Sequence, residues 1–394
     1  MVFLSIATFF EGYDFFALAQ ILPELRAELN LSPSGAGLML AIINCGTILA
    51  GLLVRQADRV GRRTILSITI LGYTLCSLLT ALSNNVVTFT AAQILARMFL
   101  IGEWAVAMVY AAEEFPAQRR GFVIGVIQAS SSFGGIACAG LVPVLVHTVL
   151  GWRAVYVVGT VPLLLLAFAR RNLRETTRFS AAQAPQQKRP PVWTHLRGPH
   201  GARLMLVGLI WAITYLNTQS AVTFWKEFAM AERGFTDKEV GMALTIGALG
   251  SLPLLFLSGR LLDGLGRRWG ALIIFGTCAA GTACSYLLEG RAALTVALAA
   301  GIFGASAVLP VLNAFTAELF PTAWRADAFA LANNVMGRVG YVLSPLLVGA
   351  LADVWGWGPS VAATAVCPVV AVSLILLFLP ETRGRELEET SLAH

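Results

Sequence analysis

Apolar residues gather in twelve long runs, near 2–26, 36–54, 64–83, 88–112, 122–147, 154–170, 204–228, 239–259, 269–288, 293–317, 328–351 and 359–379. Most reach about 20 residues, the length a helix needs to cross a hydrocarbon core roughly 30 Å thick. Backbone at membrane depth must satisfy its own hydrogen bonds, and runs without period-2 alternation fit helices and not barrel strands. The expected fold is therefore all-α: a polytopic membrane protein with twelve transmembrane helices. Composition agrees, because 57% hydrophobic and only 13% charged residues lie outside the range of soluble domains. The first run is too long for the apolar core of a signal peptide and carries Glu11 and Asp14 in its middle, so it reads as a retained helix.

A net charge of +6 invites a nucleic-acid reading, but the basic residues sit in short loops between runs and form no basic domain, so no nucleic-acid partner is expected. Their placement reports topology instead. Of 28 Lys and Arg, 20 fall in loops on one side, 6 on the other and 2 mid-span. The positive-inside rule puts the richer side, with both termini, in the cytoplasm. The segment 171–202 is polar, contains Gln-Gln-Lys-Arg-Pro-Pro, and reads as a cytoplasmic linker.

Three loop motifs recur at nearly constant spacing. Asp58-Arg59-Val60-Gly61-Arg62-Arg63 faces Asp263-Gly264-Leu265-Gly266-Arg267-Arg268 at an offset of 205, and Glu113, Pro116 and Arg120 face Glu318, Pro321 and Arg325 at the same offset. Leu173, Glu175 and Thr176 face Leu379, Glu381 and Thr382 at 206. A register held this constant indicates duplication. The expected organisation is a six-helix bundle over 1–170, the linker over 171–202, a second, pseudo-symmetric six-helix bundle over 203–380 and a cytoplasmic tail over 381–394. Parallel repeats of this kind place a solute site near the midplane and give alternating access by rocking.

D-R-x-G-R-R after run two and G-x-x-x-D-x-x-G-R-R after run eight resemble the signature of the major facilitator superfamily, and the match spans essentially the whole chain. Val54 departs from it where Gly259 keeps the usual glycine. The resemblance implies a cytoplasmic gate made by Asp58, Arg62, Glu113 and Arg120 in one half and Asp263, Arg267, Glu318 and Arg325 in the other. The plainer reading is loop charge that fixes topology.

Arg97-x4-Gly102, then Tyr110-x-x-Glu113-x-x-Pro116-x3-Arg120-Gly121, and Pro380-Glu381-Thr382-Arg383-Gly384 are similar to sugar-porter and metabolite:proton symporter signatures. Glu11-Gly12-Tyr13-Asp14 resembles the acidic element of aromatic-acid:proton symporters, and Gly337-Arg338-Val339-Gly340 with Pro345 resembles their helix-eleven arginine. Run seven, Tyr215-Leu216-Asn217-Thr218-Gln219-Ser220, lacks the paired glutamines of sugar porters. The resemblance implies a secondary transporter of a small organic acid, aromatic acids included, coupled to protons.

Glu11, Asp14, Arg97, Glu103 and Arg338 lie at membrane depth, each costing roughly 2.5–3.5 kcal/mol on insertion scales. Glu11 and Asp14, three apart, share a helix face and can gain and lose a proton, which arginine cannot. They are the proton-coupling candidates, Arg97 is a substrate-binding candidate and their counter-ion, and Arg338 is the substrate-carboxylate anchor. A static acid–arginine pair that locks helices together is the plainer reading. Asn334, Arg338 and Tyr341 share a face at α-helical spacing. Tyr13, Gln128, Asn217, Gln219 and Trp104 are secondary candidates, each also readable as a packing hydrogen bond or aromatic filler. Glu103, six residues beyond Arg97, points elsewhere and reads as packing or gating.

No metal-ligand spacing, phosphate loop or nucleophile–base set is present, and His147, His195, His200 and His394 lie in loops, ends or the tail. Six cysteines within the runs read as small apolar residues. An enzyme and a cofactor are not expected. Small solute, protons and membrane lipid are the expected partners of a monomer in a bacterial cytoplasmic membrane. A sugar or metabolite facilitator, or an exporter without proton coupling, stays open.

Overall fold

The computed structural model describes residues 2–169, 200–321 and 325–383. Helices account for nearly all of them, and no strand occurs among the described residues. In chain order they are α1 (Val2–Gln20), α2 (Leu22–Leu29), α3 (Pro33–Val60), α4 (Arg62–Ala81), α5 (Val86–Glu114), α6 (Ala117–Leu145) and α7 (Arg153–Ala169). The second half runs α8 (Gly201–Thr223), α9 (Trp225–Ala231), α10 (Asp237–Leu265), α11 (Arg267–Leu287), α12 (Arg291–Glu318) and α13 (Arg325–Phe329), then a π-helix (Ala330–Gly337), α14 (Arg338–Trp355), α15 (Trp357–Ala363) and α16 (Val366–Phe378). Among the described residues ten helical spans are long and apolar enough to cross a membrane, and the part of α7 from Arg153 to Phe168 is a shorter apolar helix.

Each of the twelve runs is found as a helix or an interrupted helix. The first breaks at Ile21, where Pro23 opens α2, since proline cannot continue the hydrogen-bond ladder behind it. Helices α3 and α10 extend past their apolar runs to Val60 and Leu265. Hydropathy marks the hydrocarbon layer, while helical hydrogen bonding carries on through Arg55–Val60 and Arg260–Leu265. The linker expected over 171–202 lies almost wholly outside the described residues, as does the tail beyond Arg383. All six cysteines are free; Cys76, Cys138 and Cys278 are buried, but Cys45 is exposed.

Two compact units form. One gathers Met1–Leu31, Ile42–Gln187 and Thr236–Met242; the other gathers Ser32–Ala41, Lys188–Phe235 and Ala243–His394. The start of α3 thus groups with the second unit and the start of α10 with the first.

Within unit 1, α1 packs on α6, and α4 packs on α5 and α7. Contact between α1 and α6 is close: a Cβ on Gly12 would lie 2.0 Å from the Ser131 carbonyl oxygen, and one on Gly134 would lie 1.8 Å from that of Phe9. Within unit 2, α11 packs on α12 and α8 on α14. Small residues at crossings are how membrane helices gain van der Waals contact when burial from lipid gives no hydrophobic driving force. Leu52, Val87, Phe122 and Leu377 are exposed, while thirty polar or charged side chains are buried among the described residues. That distribution fits a bilayer as solvent.

Candidate functional site

The repeated motifs fold into two matching corners. Gly61 and Gly266 precede α4 and α11 with φ of 104° and 95°, a region that side chains rarely adopt. Each glycine turns the chain so that the following arginine points back along the preceding helix. Arg62 donates Nε and Nη2 to Glu113 Oε1 at 3.2 and 2.9 Å, and its Nη1 to the Ala57 carbonyl at 3.1 Å. Arg267 donates Nε and Nη2 to Glu318 Oε1 at 3.2 and 3.0 Å, and its Nη1 to Asp263 at 2.7 Å. Glu381 accepts the backbone N–H groups of Arg267 and Arg268 at 2.8 and 3.0 Å, capping the start of α11. Thr382 hydrogen-bonds Glu318 and Arg268 hydrogen-bonds the Leu376 carbonyl. Burial pushes the Glu381 carboxyl up, but the N–H groups of Arg268, Arg267, Arg383 and Thr382 outweigh it and hold the group below its ordinary value. The side chains of Asp58 and Arg120 lie outside those described; Arg325 is half-buried at the start of α13.

Inside unit 1 the charged residues converge. Asp14 and Glu11 are 7% and 6% exposed on α1. The Asp14 carboxylate lies within reach of the Tyr73 hydroxyl of α4 and within electrostatic reach of Arg97 on α5. Arg97 is buried with its guanidinium 4.8 Å from the centre of the Phe15 ring. Tyr156 of α7 is fully buried within electrostatic reach of Asp14 and Arg97. Tyr13 turns away: its hydroxyl donates to the Val155 carbonyl at 3.3 Å, which ties α1 to α7. Glu103 is buried and accepts from Thr69 at 2.5 Å, so it faces α4, separately from Arg97.

Inside unit 2 the Arg338 guanidinium lies 5.5 Å from the Tyr215 ring centre and 4.9 Å from that of Tyr341, two rings packed edge to face. Among the described residues it has no carboxylate partner within 4.0 Å. The expected stripe of Asn334, Arg338 and Tyr341 assumed α-helical spacing, but Ala330–Gly337 is a π-helix. The wider turn re-phases the preceding residues. Asn333, five before Arg338, is therefore the buried asparagine and accepts from the Tyr215 hydroxyl at 2.9 Å, while Asn334 is exposed. Asn217 is fully buried and used for packing: it donates to Thr364 at 3.0 Å and accepts from Cys278 and Thr282. Gln219 and Trp104 are half-buried and Gln128 is exposed. Tyr73, Tyr156, Tyr215 and Asn333 were not among the sequence candidates. A lone tyrosine in an apolar run carries no signal of its partner, although a buried hydroxyl needs one.

The family model of the Major Facilitator Superfamily matches residues 4–225 and 207–393. The chain is 26% identical over 391 residues to a putative niacin/nicotinamide transporter of Bacillus subtilis, covering 96% of this chain and 95% of that protein. It is 27% identical over 363 residues to the cis,cis-muconate transport protein of Acinetobacter baylyi, covering 89% and 87%. An inward-open structure of the xylose transporter of E. coli superposes with a TM-score of 0.76 at 20% identity, over 99% of this chain and 98% of that one, a likeness of fold.

Proposed function

Because this chain belongs to the Major Facilitator Superfamily and is an integral membrane transporter and not an enzyme, we propose that it carries a small organic acid, aromatic acids included, by alternating access coupled to protons. The observation that carries this reading is Arg338: a permanent cation at membrane depth, flanked by two tyrosine faces and facing no carboxylate among the described residues. An unneutralised arginine there is costly unless an anion completes it, and its planar fork suits a carboxylate bidentately. Tyr215 and Tyr341 supply aromatic surface for the body of a flat solute. A relative named for cis,cis-muconate supports the acid class.

Asp14 is the proton carrier, with Glu11 beside it. Its ionised form is held by Tyr73 and Arg97; protonation removes the charge that Arg97 opposes and weakens both contacts. Uptake of a proton and release of Arg97 are thereby one event, which biases the unit between two states. The two arginine–glutamate corners act as gates that close in one access state. The Arg-rich side, with both termini, faces the cytoplasm of a bacterial inner membrane, and the protein works as a monomer.

The test is uptake and binding by reconstituted protein. Arg338→Ala abolishes binding of organic acids while the variant still unfolds at the wild-type temperature. Undiminished carboxylate affinity in that variant rejects the anchor, and wild-type uptake insensitive to an inward proton gradient rejects the coupling.

A further inference from the structure

Asp14 is approached from several elements of unit 1. Tyr73 faces it from α4, Arg97 from α5 and Tyr156 from α7, Tyr13 and Glu11 share α1, and Cys138 of α6 lies within electrostatic reach of Tyr13 and Tyr156. Two donors in this cluster are unused among the described residues. Arg97 Nη1 and the Tyr156 hydroxyl are both buried and have no hydrogen-bond partner among the described residues, although Arg97 is 6% and Tyr156 0% exposed. Buried donors are almost always satisfied, by ordered water where protein groups do not reach. Both lie within electrostatic reach of Asp14 and of each other, so the two unused donors belong to the surroundings of one carboxylate.

We propose that Tyr73 and Tyr156 are the positioning residues of the proton site: Tyr73 holds the Asp14 carboxylate directly, and Tyr156, with Arg97 Nη1, holds a water through which that carboxylate exchanges its proton. The water accepts from Arg97 and Tyr156 and keeps its own two O–H groups for donation, one of them to Asp14. When Asp14 gains its proton, the proton is handed on by this water and replaced from the aqueous side, so the water is regenerated. Phenylalanine keeps the ring of either tyrosine and removes only the hydroxyl, which separates positioning from packing. This inference rests on Asp14 as the coupling residue.

The experiment is proton-driven uptake of an organic acid, and counterflow of the same acid, across a range of pH in vesicles containing wild type, Tyr73→Phe, Tyr156→Phe and Asp14→Asn. Loss of a hydrogen bond to the ionised carboxylate moves the uptake midpoint of Tyr73→Phe to higher pH by about one unit. Tyr156→Phe slows proton-driven uptake several-fold at every pH and leaves counterflow at saturating solute within about twofold. An unmoved midpoint in Tyr73→Phe, or wild-type uptake in Tyr156→Phe, overturns the assignment. Asp14→Asn separates the two levels: if it still accumulates solute against a gradient, the coupling reading itself falls. Should either phenylalanine variant fail to insert, pH-difference infrared absorption of the carboxyl C=O in the other, assigned by its loss in Asp14→Asn, gives the same decision.

Discussion

The corners and the interiors of the two units differ in how far they have parted since duplication. At the corners the halves match residue for residue: Gly61 and Gly266 make the same turn, and Arg62–Glu113 and Arg267–Glu318 make the same pair, each closing 51 residues. In the interior the same offset gives no match. Asp14, Tyr73, Arg97 and Tyr156 of unit 1 correspond to Gln219, Cys278, Ile302 and Val361 of unit 2, so nothing there repeats the acid–arginine cluster. Arg338 and its tyrosines have no charged counterpart in α6 at that offset, where Phe133 stands. Duplication has kept what two mechanically equivalent bundles share, and divided the chemistry between them. Under the proposed function, proton binding falls to one unit and anion binding to the other.

The sharpest way to break this comparison is to make the interiors alike. Asp14→Gln installs in unit 1 the side chain its counterpart already has in unit 2, and it preserves a hydrogen-bond acceptor for Tyr73. With Glu11 left but the proton carrier gone, coupling to the gradient is lost, and the accumulation ratio of solute falls to about one while exchange persists. Reciprocal Gln219→Glu in that background does not restore accumulation, since no arginine of unit 2 occupies the place of Arg97. Accumulation unchanged in Asp14→Gln, or restored by the second substitution, would mean that the interiors are interchangeable after all.

At the corners the expected effect is smaller and shared. Gly61→Ala and Gly266→Ala each force a side chain into a positive-φ region that is essentially reserved for glycine, at a cost of about 1–3 kcal/mol. At Gly266 an added Cβ also sits 2.8 Å from Glu381 Oε2, so the cap must shift as well. Both variants unfold at lower temperature than wild type in detergent, Gly266→Ala more so. If either glycine accepts alanine without loss, the two turns are not equivalent and the repeat is one of sequence alone.

What was legible in the sequence follows the same division. Hydropathy runs located the helices because a bilayer demands long apolar segments, and the offset of 205 located the corners because glycine, arginine and glutamate act there at fixed short separations along the chain. The Asp14–Arg97 approach was legible too, since two charges at membrane depth need each other. Tyr73, Tyr156 and Asn333 were not. The first two act through hydroxyls on helices far apart in sequence, and Asn333 became the inward asparagine only because Ala330–Gly337 winds as a π-helix, which spacing arguments based on 3.6 residues per turn cannot anticipate. Asn217 failed the other way: a polar residue at membrane depth looks like a ligand, but Thr364, Cys278 and Thr282 already use its amide.

The smallest effect tests the corner of unit 2 by its charge. Glu381 caps α11 through the N–H groups of Arg267 and Arg268, where the helix dipole also favours an anion. Its folded carboxyl lies below the ordinary value, so its contribution is fully present above the unfolded value of about 4.3. That contribution is lost as the pH falls through the lower folded value. Glu381→Gln keeps an acceptor but removes the charge, and at neutral pH it destabilises by about 1 kcal/mol or less, since solvent screens a partly exposed group. Thermal unfolding of wild type and variant therefore differs by a constant margin from pH 7 down to about 5 and converges below about 4. A margin that persists into acid would show that Glu381 holds the corner by shape and not by charge, and would leave the turn at Gly266 resting on the Arg267–Glu318 pair.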